Sequence, residues 1–172
     1  MKYILLILVT LISFNCYASE WTNFIDAKND LKYAKSTHDF DLIVKETLRY
    51  IKCAEEVKEY GVQAWQYNNL ANYYIEEFKD RTDYINRMDL IFNAKKGQYM
   101  KDIIDEAKCD FAKQIHLLQL AKQYLIKSQM LTNKYEDKER SKCILSNWSF
   151  ITYVYKFINW ESVKNVADNT KV

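Results

Sequence analysis

The chain contains no proline and only two glycines, Gly61 and Gly97, in 172 residues. A β-sandwich or barrel turns roughly every 8–12 residues and draws on those two residue types to do so, so an all-β fold is excluded. Two glycines also cannot build a glycine-rich phosphate loop. Histidine is scarce as well, with His38 and His116 the whole supply. No H-E-x-x-H, G-x-S-x-G or C-x-x-C spacing occurs. The usual signatures of zinc proteases, serine hydrolases and thiol redox enzymes are therefore missing. An excess of one charge is missing too. Lys plus Arg number 25 against 23 Asp plus Glu, a balance that points to neither nucleic acid nor an anionic membrane as partner.

What is present begins at residue 1. Met1-Lys2 is a short positive start, Tyr3 to Phe14 is an apolar run broken only by Thr10 and Ser13, and Cys16 and Ala18 place small residues ahead of Ser19. That order is the secretory-signal pattern. The run is too short for a membrane span of about 20 apolar residues. Residues 1–18 are thus expected to be a cleaved signal peptide, leaving a periplasmic or secreted chain with no membrane span. The expected domain is a single helical unit over 19–167, followed by a disordered tail over 168–172. The richness in Lys, Asn, Ile and Tyr resembles the output of an AT-rich bacterial genome. Cys53, Cys109 and Cys143 remain after cleavage. Export permits one disulfide among them, buried free thiols are equally compatible, and their spacing forms no local metal motif.

Apolar periodicity predicts an all-α fold of antiparallel helix pairs. A first helix is expected from Glu20 to about Lys35. A second runs near Asp39 to Tyr60, with Phe40, Ile43, Val44, Leu48, Ile51, Ala54 and Val57 at steps of three and four. Asp39 is expected to cap its start, and Gly61 to end it with a left-handed backbone. A third helix is expected from Val62 to Phe78, and Thr82 to cap a fourth bearing Ile85, Met88, Leu90 and Phe92, with Gly97 at its end. The stripe Ile103, Ala107, Phe111, Ile115, Leu118 and Leu125 keeps helical spacing, with an optional break near Asp110. Lys134 to Lys142 reads as a charged, solvated connector. Ser146 to Ile158, rich in aromatic and β-branched residues, reads as a buried helix because a lone strand would have no partner.

Three segments place a bulky, an apolar, a small and a tyrosine residue at the same offsets. They are Tyr67-x-x-Leu70-Ala71-x-x-Tyr74, Leu117-x-x-Leu120-Ala121-x-x-Tyr124 and Trp148-x-x-Ile151-Thr152-x-x-Tyr155. Each resembles the first helix of a tetratricopeptide repeat. Asn159 to Ala167 resembles the turn and second helix of such a unit, and Asp39-Phe40-x-x-Ile43-Val44 a second-helix start. The small positions at 71, 121 and 152 are unevenly spaced, however, where the repeat period is about 34 residues. The final proline of such repeats is absent. The alternative is an irregular helical bundle. The resemblance implies a concave groove lined by first helices, with Asn68, Asn72, Ser149 and Tyr153 facing a partner.

Candidate chemistry is thin. His116 lies downstream of Glu106 and Asp110, and His38 beside Asp39 and Asp41, but such neighbours are commonplace in a chain with 28% charged residues. Asp102, Asp105 and Glu106 alternate with lysines, as a solvated helix face does. No catalytic residue, metal or cofactor is therefore expected. The surplus is aromatic: 14 Tyr, 8 Phe and 4 Trp. Surface Tyr and Trp are what recognition patches are made of. The expected function is a non-enzymatic domain that binds a protein or peptide. The alternative is an immunity protein or inhibitor of a toxin or cell-wall enzyme, which would present a strongly charged, protruding surface instead of a groove.

Overall fold

The computed structural model describes residues 2–93, 98–135 and 137–159, with side chains over 18–93, 101–134 and 137–159. Within them lie seven helices and no strand: α1 Lys2–Thr37, α2 Phe40–Glu56, α3 Tyr60–Arg81, α4 Tyr84–Asn93, α5 Gln98–Lys113, α6 Ile115–Tyr135 and α7 Lys138–Ile158. The all-α architecture matches the periodicity, and helices packed on one another are compatible with a helical repeat. Gly97, the tail after Ala167 and most of the third motif's extension lie outside the described residues.

Helix boundaries follow local chemistry. Asp39 caps α2 as expected, its Oδ1 accepting the Leu42 amide at 3.0 Å, which satisfies one of the orphan donors at a helix start. The other end of α2 differs. The helix stops before Val57, and Lys58, not Gly61, takes the left-handed backbone at φ 62°. The Glu59 amide then reaches Ala54 O at 2.8 Å and the Lys58 amide reaches Glu55 O at 3.0 Å. That double closure is the Schellman arrangement, which leaves Gly61 in the first turn of α3. Thr82 is likewise not the start of α4 but the close of α3. Its hydroxyl donates to Phe78 O at 2.7 Å, and Asp83 takes the left-handed turn at φ 48°.

α1 and α2 form an antiparallel pair around a small apolar cluster. Phe24 meets Tyr50 at 5.1 Å and Trp21 at 5.5 Å. Ala27, Leu31, Cys53, Ala54 and Val57 belong to the cluster, and Val62 of α3 packs against it. Among the residues with described side chains Trp21 is the first to pack against it, and Ala18 and Ser19 are exposed. Leu48, expected on the inner stripe of α2, is exposed instead, as is Ile25 of α1.

The larger cluster is built by α3 to α7. Its central seam lies between α3 and α6. Moving forward along α3, Tyr60 lies under Lys134, the Ala64 carbonyl accepts the Ser128 hydroxyl at 2.8 Å, and Tyr67 lies under Lys127. Rising numbers on one helix meet falling numbers on the other, so the two run antiparallel. Ala64, Ala71, Ala121 and Ser128 are all fully buried. On each helix they stand one heptad apart, so small residues recur along one face and the backbones approach closely. Ala71 of the first motif and Ala121 of the second are thus contact residues, and Leu70 is fully buried beside them.

α7 runs parallel to α3, with Arg140 over Trp65, Asn147 bonded to Asn68 and Phe150 against Phe78 in rising order. The third motif therefore lies parallel to the first while the second is inverted, whereas simple stacking of repeats leaves equivalent helices parallel. Thr152, its small position, is exposed. α4 and α5 close one end of the cluster. Arg87 of α4 ties them by donating to Thr82 O at 3.0 Å and pairing with Glu106 and Asp110. Asp110 therefore does not cap a helix. The break falls at Gln114, between α5 and α6. The hydrogen bond from Lys113, aided by Arg87, holds the Asp110 carboxyl below its ordinary value. Ile85, Leu90 and Phe92 of α4 stay exposed, because its inner stripe is Met88 and Ile91.

The solvated connector expected over Lys134 to Lys142 is replaced by helix ends and a buried cation. Asp137 caps α7 by accepting the Arg140 amide at 2.9 Å, and its other oxygen pairs with the Arg140 guanidinium at 2.6 Å. Arg140 is 3% exposed, stacked on Trp65 at 5.3 Å and within 3.4 Å of the Thr132 hydroxyl. The amide bond from Arg140 first, then its charge, lowers the Asp137 carboxyl below the usual range. Lys138 and Glu139 are exposed, so the local charge density gives no sign of the one charge that turns inward.

Candidate functional site

The residues expected to line a groove divide between two environments. Asn68 is buried, and its side-chain oxygen accepts from Asn147 Nδ2 at 3.3 Å. It seals α3 against α7 and faces no open groove. Asn72 is exposed one turn further on. Ser149 is exposed but spends its hydroxyl on Leu145 O of its own helix at 2.9 Å. Tyr153 is 44% exposed and lies near enough to Tyr84 to help raise that phenol, after burial. The structure joins Asn68 to Asn147, and Tyr153 lies towards the α4 end.

A different surface concentrates the aromatic surplus. Tyr60, Tyr67 and Tyr74 stand one heptad apart on α3, so they share one face of the helix. That face opens between α2 and α6. Tyr124 of α6 slots between two of them, stacked on Tyr67 with ring centres at 6.2 Å and on Tyr74 at 5.8 Å. Phe40 of α2 meets Tyr74 edge-on at 5.3 Å. Lys127 lies over both Tyr67 and Tyr124 at 5.4 Å, and Lys134 over Tyr60 at 5.5 Å. Cation–π contacts of this kind hold the lysine ammonium over the ring face.

The tyrosines are half-buried, and burial raises the phenols of Tyr67, Tyr74 and Tyr124. Glu55 adds to the effect at Tyr67, and Asp41 adds to it at Tyr74. Both acids belong to α2, one on each side of exposed Leu48 at heptad spacing. The surface therefore has an aromatic floor on α3, a rim of Asp41, Leu48 and Glu55 on α2, and a rim of Lys127 and Lys134 on α6. It was legible in part. The tyrosine heptads are visible in the sequence, but their pairing with lysines sixty and more positions away depends on the antiparallel register of α3 and α6.

The titratable candidates are dispersed. His38 is exposed, with φ 57° at the α1–α2 junction. His116 is exposed at the start of α6, and Asp102 and Asp105 are exposed on α5 while Glu106 turns to Arg87. Among the described residues no group of three or more His, Cys, Asp or Glu is placed to hold a metal ion. Cys53 is a buried thiol, raised by that burial, and Cys109 and Cys143 are exposed free thiols. Among the described residues no helix is long and apolar enough to cross a membrane. No family model, curated protein or solved structure matches the chain.

Proposed function

We propose that this chain is an exported, non-enzymatic helical domain of the bacterial envelope or secreted space, and that it binds another protein or a peptide. The observation that carries the reading is the α2–α3–α6 surface. Tyr60, Tyr67, Tyr74 and Tyr124 are larger and more numerous than closing a helix seam requires. Their half-burial leaves amphipathic area of the kind that dominates interface energetics. The tetratricopeptide-like pattern supports the reading through the packing of Ala71 and Ala121. The inverted second copy departs from such an array, and the groove residues it implied are not the ones with the aromatic surface.

Export rests on the secretory pattern before Ser19. The test is capture from periplasmic and culture-medium fractions with the native chain as bait. The bait's intact mass should correspond to a start near Ser19, and one protein should be enriched by the wild type and lost with Leu48→Glu. A full-length mass contradicts export. A partner retained equally by Leu48→Glu, or no partner at all, contradicts the binding surface.

A further inference from the structure

Three rows of heptad-spaced residues run side by side across this surface. On α2 the row is Asp41, Leu48 and Glu55; on α3 it is Tyr60, Tyr67 and Tyr74; on α6 it is Lys127 and Lys134. Two heptad steps along α3 cover roughly 21 Å. A ligand matching that repeat must present apolar groups at the same interval, which an α-helix does with a three-four stripe. A polyproline helix repeats every ~9 Å instead, so its two turns reach only about 19 Å and drift out of step with the column.

The rims carry opposite charge. Lys127 and Lys134 form the α6 rim, the ammonium of each lying over a tyrosine ring, at 5.4 Å from Tyr67 and 5.5 Å from Tyr60. Asp41 and Glu55 form the α2 rim, both exposed. Lys45 on α2 pairs with Glu46 at 3.5 Å, and Lys52 is exposed. Such a surface suits a helix with acids on one flank and bases on the other. A helix charged alike on both flanks meets one attractive and one repulsive rim whichever way it lies.

We infer that the α2–α3–α6 surface is a docking groove for an amphipathic helix of a partner protein. Its apolar stripe lies on Leu48 and the tyrosine column, its acidic flank faces Lys127 and Lys134, and its basic flank faces Asp41 and Glu55. This rests on the proposed binding function and specifies its partner. The rims also fix direction. Turning the helix end for end exchanges its flanks, so only one orientation satisfies both rims.

The test uses the mature chain and three synthetic helical peptides of about 18 residues, enough to cover two heptads and both ends. All share one leucine stripe. They differ in flanks: Glu on one side and Lys on the other, Glu on both, or Lys on both. The mixed peptide should bind at least about fivefold tighter than either single-sign peptide at low ionic strength, with the preference shrinking as salt rises. The double variant Lys127→Glu, Lys134→Glu should lose that preference and favour the Lys-flanked peptide, with its circular dichroism unchanged. Equal binding of all three peptides overturns the inference, as does failure of all three or an unchanged preference in the variant. Self-association abolished by Leu48→Glu would assign the groove to a second copy and overturn it too. Capture of a partner in a Leu48-dependent manner while all three peptides fail would sink the helical ligand and leave the binding function standing.

Discussion

Replacing Phe78 with alanine should lower the unfolding free energy by about 3–5 kcal/mol, the usual cost of truncating a fully buried phenylalanine. Phe78 has no exposed surface. Its ring meets Phe111 of α5 at 5.7 Å, Phe150 of α7 at 6.3 Å and Tyr84 of α4 at 6.5 Å. One side chain thus joins four helices, and none of those rings can close the space alone without leaving its other partners. The cavity should stay open, so the loss falls towards the upper end of that range. Urea unfolding followed by circular dichroism provides the measurement. Phe78→Leu, which keeps most of the volume, should recover most of the stability. A Phe78→Ala midpoint within error of the wild type would mean that α4 and α5 are not held on this ring.

Ala71→Leu should cost about 1–3 kcal/mol for the opposite reason, because a larger side chain is forced into a filled seam. Ala71 is fully buried, as are Ala64, Ala121 and Ser128 on the same interface. Three added carbons at 71 must push α3 and α6 apart, which also stretches the Ser128–Ala64 hydrogen bond. Asn72 is the control, exposed and one position round the helix. Asn72→Leu should change stability by no more than about 0.5 kcal/mol, as surface substitutions usually do. Equal effects at 71 and 72, or a silent Ala71→Leu, would show that α3 and α6 do not touch at Ala71.

Those two positions show what could be read in the sequence. Ala71 and Ala121 stand out as small residues within a recurring pattern, and both prove to be contact points. The periodicity was sufficient because helix packing is written in steps of three, four and seven. The same pattern misplaced Asn68, because its environment is decided by Asn147 on α7, far away in the chain. Arg140 was hidden for a similar reason. A charge among Lys138, Glu139 and Lys142 reads as solvent-facing, and only Trp65, Thr132 and Asp137 together make an interior site for it. Gly61 misled for a local reason. The double hydrogen-bond closure after α2 is made by Lys58, which takes the left-handed conformation despite its side chain. The aromatic surface falls between these cases: Tyr60, Tyr67 and Tyr74 are visible as a series, while the rims that give the series meaning belong to other helices.

The α3–α6 seam also constrains how the chain assembles. The Ser128–Ala64 contact spans 64 residues and the Asn147–Asn68 contact 79, whereas α1, α2 and α3 follow one another directly. Contacts between distant segments must await closure of the intervening loop, and chains rich in local contacts gain structure sooner. The smaller apolar cluster is therefore the early one, and the larger cluster completes only when α6 arrives on α3. Pulse-labelled hydrogen exchange during refolding should protect amides of α2 before those of α6, and the reverse order would refute this sequence of events. Without proline, no peptide-bond isomerisation lasting tens of seconds stands between the two stages. The expected order of assembly thus runs opposite to the size of the cores.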